Sequence, residues 1–258
     1  MESIILQIEA HVAFITLNRP ASYNSFNREM ALLLQKTLDD CAKNPDVRAI
    51  CITGEGKAFC AGQDLKEVTD PAGPSLTTIL REHYNPIILR LRKIEKPVIA
   101  AINGVAAGAG ANIALACDIV VATMSAAFIQ AFSKIGLIPD SGGTYFLPRL
   151  IGFQRASALM MTGDKVSAKD AEMMGMIYKA IPDELFYEEY RNLAFSMSKM
   201  PTKALAYTKK ALNSTFNNSL QEQLVLEDEL QTAAGKTYDY MEGVNAFIEK
   251  RKPLFKGE

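Results

Sequence analysis

The sequence predicts an α/β protein, and three observations carry that expectation. Short β-branched runs alternate with helix-patterned stretches over the first two thirds of the chain. Two of those runs empty into glycine-punctuated turns that lead toward helices. From Pro201 onward the pattern becomes purely helical, so the expected architecture is a core at 1–200 followed by a helical region at 201–258.

In order, IILQI (4–8) and VAFITL (12–17) read as a hairpin, which Asn18-Arg19-Pro20 ends because proline cannot continue the ladder. Arg28 to Asp40 carries Met30, Leu33, Leu34 and Leu38 on one face, with Asn27 or Ser25 as N-cap. Val47 to Thr53 is a buried strand. GEGKAFCAGQDL after it reads as loop, because glycines at 54, 56 and 62 suit neither helix nor strand. Thr69 to Ser75 is turn chemistry, and Leu76 to Ile94 a helix. Pro97 to Ile102 is a strand running into an Asn103–Gly110 turn, followed by a helical segment and a strand at Asp118–Ala122. Short helices with one strand near Met176–Ile181 fill 150–181. Asp183 to Met200 is helical, and three further helices reach about Phe255.

Composition narrows the function. The 258 residues are 48% hydrophobic and 22% charged with a net charge of −1, which gives nucleic acid no basic surface to seek. No apolar run approaches the roughly 20 residues that span a bilayer, and no leader pattern opens the chain, so a cytoplasmic setting is expected. The four cysteines lack C-x-x-C spacing, and there are only two histidines, so neither a metal site nor a redox pair is expected.

The chemistry-bearing residues gather around Gly54–Asp64 and Pro97–Gly143. Each glycine turn follows a strand and can offer a backbone N–H where a helix begins. Two such donors aimed at one oxygen form an oxyanion hole; the other reading is that the glycines only permit tight packing. Asp140 stands alone between Pro139 and Ser141-Gly142-Gly143, with Phe132, Leu137 and Ile138 close in sequence. An apolar wall there would raise its pKa and make it a base; equally, it is a natural N-cap for the helix that follows. Glu67 fits a solvated helix position, and His83 fits packing or solvent. The Met160–Met176 cluster fits core or subunit contact, and Cys60 has no histidine beside it to make a nucleophile.

AFCAGQDL (58–65), KPVIAAINGVAAGAG (96–110), CDIVVA (117–122) and IGLIPDSGGT (135–144), in this order and spacing, resemble the crotonase superfamily, the enoyl-CoA hydratases and isomerases. The likeness runs from the N-terminal strands to EGVNAFIEKRKPLF (242–255). Its AFSKIGLIPDSGGT segment is similar to that of isomerases acting on the ring epoxide of phenylacetyl-CoA. The resemblance implies a spiral of ββα units with a C-terminal helical trimerisation region, assembled as a homotrimer or a dimer of trimers. It implies an acyl-CoA thioester as substrate, with coenzyme A entering as part of it and no separate cofactor. The oxyanion donors would be the N–H groups of Gln63 and Ala109, with Lys57, Ala61 and Asp64 beside the first and Phe247 and Lys250 on the tail toward CoA.

Hydratases of the superfamily work with two glutamates, and the matching positions here are Asn112 and Phe132. A two-carboxylate water addition then has no acid–base pair. Other members place a working carboxylate where Asp140 stands. The expected activity is therefore isomerisation, with Asp140 moving the proton, Phe132 against the substrate, and Asn112 orienting either substrate or Asp140, or serving only as a helix residue. Two alternatives stay open: a hydratase using Asp140 alone, and a non-catalytic CoA-binding subunit of an assembly.

Overall fold

The computed structural model describes residues 2–258. Strands β1 (Ile4–Glu9) and β2 (Val12–Leu17) form the expected antiparallel hairpin. Its two-residue turn, Ala10-His11, has both φ angles positive, at 44° and 66°, the mirror-image turn that matches strand twist. His11 holds this conformation without glycine because its carbonyl accepts from Arg48 and Ala49 and its Nδ1 meets the Asp46 carbonyl.

Helix α1 (Arg28–Lys43) is capped by Asn27, whose side chain accepts from the Met30 N–H, and buries Met30, Leu34 and Leu38. Strand β3 (Ala49–Gly54) leads to β4 (Ala58–Cys60), and α2 (Leu65–Thr69) follows. A long segment built from α3 (Leu76–Thr78), a π-helical turn (Ile79–Tyr84) and α4 (Asn85–Lys93) occupies the predicted helix, capped by Ser75. Then come β5 (Val98–Ile102), β6 (Val105–Ala107), α5 (Ala109–Leu115), β7 (Ile119–Thr123) and β8 (Ala127–Ile129). Helices α6 (Gly143–Ile151) and α7 (Phe153–Thr162), strand β9 (Lys165–Ser167), helix α8 (Ala168–Met173) and strand β10 (Lys179–Ile181) complete the core. Helices α9 (Asp183–Ser198), α10 (Thr202–Ser214), α11 (Leu220–Ala234) and α12 (Tyr238–Ile248) finish the chain.

The spiral is visible in the strand order. Strands β3, β5 and β7 enter a six-stranded sheet ordered β1-β2-β3-β5-β7-β10, and their successors β4, β6 and β8 enter a four-stranded sheet ordered β4-β6-β8-β9. Each turn therefore gives one strand to each sheet before its helix, the ββα repeat. The inner strands β2, β3, β5 and β7 of the larger sheet are buried on both faces, which is why they are continuous apolar runs, whereas edge strand β1 is largely exposed.

Three local expectations are corrected. GEGKAFCAGQDL and the Asn103–Gly110 turn each contain a strand, β4 and β6, paired parallel with each other. Their glycines mark close approach: a Cβ on Gly54 would meet the Ala58 carbonyl at 2.3 Å, and one on Gly104 the Lys57 carbonyl at 2.2 Å. A second strand, β9, precedes β10, closing the small sheet antiparallel to β8. Of the methionines grouped above, Met176 is buried, whereas Met161 and Met173 are exposed.

The tail is tied to the core by a charged cluster. Lys209 of α10 and Arg92 of α4 both bond the carboxylate of Asp118, at 2.8 and 3.0 Å, and Asp118 also accepts from the Val98 N–H. At the end of the chain, buried Glu242 pairs with Arg251 and accepts from the Leu254 N–H, while Asp239 accepts from Lys256 and Gly257.

Candidate active site

The first expected donor, Gln63, is set by backbone pairing. Phe26 forms a parallel bridge with Gln63: its N–H donates to the Gly62 carbonyl at 2.7 Å and its carbonyl accepts from the Asp64 N–H at 2.8 Å. In such a pairing the bracketed residue turns its own N–H to the opposite side. The Gln63 N–H has no acceptor among the described residues.

The second donor, Ala109, is the first residue of α5, so its N–H has no intrahelical partner and lies at the positive end of the helix. The two loops meet closely. A Cβ on Gly62 would lie 3.5 Å from the Ala109 nitrogen and 3.0 Å from the Ala107 carbonyl, and Gly62 has φ +96°. A Cβ on Gly110 would strike the Cys60 carbonyl at 2.5 Å. Glycine is required here for approach, which joins the packing and functional readings in one feature. Phe132 reaches the same place: its Cζ is 3.8 Å from where a Gly108 Cβ would stand, and it is buried.

Asp140 belongs to this cluster through Asn112. One turn along α5 from Ala109, a rise of about 4.5 Å, the buried Asn112 donates from Nδ2 to the Asp140 carbonyl at 2.9 Å. Its Oδ1 accepts from Gln130 Nε2 at 2.8 Å. A backbone carbonyl only accepts, so this contact fixes the orientation of both amides. Gly143 makes room for the arrangement, since a Cβ there would lie 2.3 Å from Asn112 Nδ2. Ser141, in the left-handed region at φ +51°, donates its hydroxyl to Asp140 Oδ1 at 2.8 Å. Burial pushes the Asp140 pKa above its usual value, and the Ser141 hydroxyl only partly offsets this.

Some sequence expectations change, and those for His83 and Cys60 hold. Asp140 does not cap the following helix; Gly142 is the N-cap of α6, with no side-chain cap. Of the apolar neighbours expected around Asp140, Phe132 is buried, whereas Leu137 and Ile138 are exposed. Glu67 is not a free surface acid: half-buried, it accepts from Gln63 Nε2 and from the Arg28 N–H, both at 2.8 Å. His83 is packed inside, facing Arg28, and burial lowers its pKa. Burial pushes the Cys60 thiol up to about 12, so it is no nucleophile at neutral pH.

The remaining candidates divide. Ala61 and Lys57 are exposed beside the first donor. Asp64 also sits there, but its carboxylate bonds Arg19 at 2.8 Å and caps α2 through the Lys66 N–H. Phe247 and Lys250 are exposed on the tail, where Phe247 shares a groove with Ala204, Tyr240 and Val244 and not with the donor loops. Tyr84, Gln130 and Ser141 carry no sign of their roles in the sequence. Their contacts join residues far apart in the chain or depend on an unusual backbone angle, and neither has a local signature.

The comparisons with known proteins give the family. A family model described as Enoyl-CoA hydratase/isomerase matches residues 7–258. The chain is 46% identical to 1,2-epoxyphenylacetyl-CoA isomerase of Escherichia coli (strain K12), with 100% of both chains covered. It is 44% identical to a probable enoyl-CoA hydratase of Rhodobacter capsulatus, covering 99% of this chain and 98% of that one. A crystal structure of a putative enoyl-CoA hydratase/isomerase from Mycobacterium abscessus superimposes with a TM-score of 0.93 at 36% identity, covering 99% and 100% of the two chains. The chain belongs to the enoyl-CoA hydratase/isomerase family, the crotonase superfamily.

Proposed function

We propose that this member is an acyl-CoA isomerase that works with two backbone donors and one carboxylate. The observation that carries the reading is the division of labour around α5. Asp140 is the acid tied to the helix that begins at Ala109, while the hydratase glutamate positions hold Asn112 and Phe132. Both ends of the Asn112 amide are engaged, Nδ2 with the Asp140 carbonyl and Oδ1 with Gln130, and an amide is no general base for water. It acts as a positioning residue for Asp140.

On a 3-enoyl-CoA, the Asp140 carboxylate takes a proton from C2, and the electron pair moves onto the thioester oxygen. The Gln63 and Ala109 N–H groups stabilise that enolate. Asp140, now protonated, returns the proton to C4 as the electrons move back, leaving the double bond at C2–C3. No water enters and no atom is gained. A half-buried carboxylate with a raised pKa suits both halves of the transfer.

The relative at 46% identity is an epoxyphenylacetyl-CoA isomerase, which favours the ring epoxide of phenylacetyl-CoA as the natural substrate and the seven-membered oxepin as product. On this reading Lys57, Ala61 and Asp64 flank the pantetheine arm, Phe132 faces the acyl group, and Phe247 and Lys250 approach CoA from the tail. Coenzyme A enters only with the substrate, without further cofactor or metal. The assembly is a homotrimer or dimer of trimers in the cytoplasm.

The second reading, a hydratase, is favoured by the 44% identical probable enoyl-CoA hydratase. Offering crotonyl-CoA and a 3-enoyl-CoA side by side separates the two. The isomerase reading expects new conjugated-enoyl absorbance from the 3-enoyl-CoA and no loss of it from crotonyl-CoA. The reverse pattern establishes the hydratase, and silence on both and on the ring epoxide of phenylacetyl-CoA, with acyl-CoA bound, establishes a non-catalytic subunit.

A further inference from the structure

The oxyanion chemistry asks only for the Gln63 backbone, yet both ends of its side-chain amide are engaged. Nε2 donates to Glu67 Oε2 at 2.8 Å, and Oε1 accepts from the Tyr84 hydroxyl at 2.7 Å. The ionised Glu67 carboxylate only accepts, so the amide orientation is fixed and the Tyr84 proton is committed to Gln63. The other Glu67 oxygen accepts from the Arg28 N–H, the unpaired first donor of α1. The chain Tyr84–Gln63–Glu67–Arg28 therefore links the π-helical turn, the first donor loop, α2 and α1.

Two further features point to orientation as its purpose. Tyr84 is fully buried at the end of the π-helical turn, and its ring packs edge-on against Phe26, centroids 5.9 Å apart. Phe26 is the residue that brackets the Gln63 backbone. Backbone and side chain of Gln63 are thus held by two residues whose rings are in contact. Tyr84 is no proton donor to substrate, because burial pushes its pKa well above the ordinary phenol value and its hydrogen bond is already spent.

We propose that Tyr84 and Glu67 are positioning residues that, through the Gln63 side chain, aim the Gln63 N–H at the thioester oxygen. The proposal rests on the oxyanion-hole reading above. Misaiming a donor by a fraction of an ångström weakens transition-state stabilisation more than ground-state binding, so kcat falls while KM changes little.

The test uses the full-length protein with a 3-enoyl-CoA. Tyr84→Phe keeps the ring packing and removes the hydroxyl, with kcat expected to fall about 10-fold and KM to hold. Gln63→Glu sets a second carboxylate against Glu67, and kcat is expected to fall about 100-fold at alkaline pH. As pH drops, the paired acids share a proton, so the ratio of this variant's activity to that of the wild type rises. Combining Gln63→Glu with Glu67→Gln restores the pairing with the two groups exchanged. The introduced amide donates to the introduced carboxylate and accepts from the Arg28 N–H, while that carboxylate accepts from the Tyr84 hydroxyl. Activity is expected to return to within about 3-fold of wild type, independent of pH relative to it.

A second readout needs no turnover: the carbonyl stretch of isotope-labelled butyryl-CoA bound to each protein. The polarised, lowered stretch is expected in the wild type and the swapped pair and lost in the single variants. If Tyr84→Phe and Gln63→Glu keep wild-type kcat and carbonyl stretch, or the folded swapped pair fails to recover, the proposal is overturned. If the wild type does not isomerise but the stretch follows this pattern, the positioning proposal stands and the isomerase reading falls.

Discussion

The two donors proposed for the site are held in different ways. Ala109 is fixed by regular structure: it opens a helix, glycines on either side admit the neighbouring loop, and no side chain aims it. Gln63 stands in an irregular loop between a three-residue strand and a five-residue helix. It is held by a backbone bridge to Phe26 and a side-chain relay to Tyr84 and Glu67. A helix N-terminus offers oriented N–H groups at no extra side-chain cost, whereas a loop must import its orientation from residues distant in sequence. The first donor should therefore be sensitive to side chains and the second to backbone and volume.

The largest effect expected along this line is at the second donor. Ala109→Pro replaces the N–H by a ring carbon at a first helical position, which tolerates proline, and kcat should fall about 10²–10³-fold. Kinetics beside a thermal melt would check it, and full activity would remove Ala109 from the hole. Gly110→Ala attacks the same donor through volume. A Cβ 2.5 Å from the Cys60 carbonyl must push backbone apart, at a cost of roughly 1–3 kcal/mol of stability, with Tm and activity falling together. The first donor should show the opposite signature, with Tyr84→Phe lowering kcat more than Tm. Smallest is a change remote from both loops. Glu242, whose pKa is lowered to about 2 chiefly by the hydrogen bond from Arg251, ties down the C-terminal segment. Its folded pKa lies below the unfolded value, so its stabilisation is present above the ordinary carboxylate range and lost as pH falls through it. Glu242→Gln should lower Tm at neutral pH with kcat unchanged.

What can be read from the sequence follows the same contrast. The large-sheet strands, α1 with its Asn27 cap, and both donor turns announce themselves through local pattern, since burial, capping and glycine chemistry act over a few residues. Strands β4 and β6 do not, because three residues flanked by glycine carry too short a period to recognise. Asp140 is visible as a lone acid, but its environment is not. The hold of Asn112 on its carbonyl spans 28 residues of sequence, and the Ser141 conformation at φ +51° belongs to a residue type that gives no sign of it. Glu67 reads as solvated in the sequence because its partners, Gln63 and the Arg28 N–H, converge only in the folded chain.

Asp140 is where the two donors find their use, and its burial sets a sign that can be checked. Its folded pKa is raised, so the folded state holds its proton more tightly than the unfolded one. The stability contributed by the protonated form is present below the unfolded pKa and lost as pH rises through the folded value. Asp140→Asn should therefore raise Tm at neutral pH while lowering activity by about 10²–10⁴-fold. The most direct measurement is exchange of the C2 proton of a 3-enoyl-CoA with deuterated solvent, followed in wild type and in Asp140→Asn. Exchange at C2 and formation of the conjugated product in the wild type, with both abolished in a variant that melts higher, is the expected result. Exchange persisting in Asp140→Asn at the wild-type rate would contradict the assignment of proton transfer to this carboxylate.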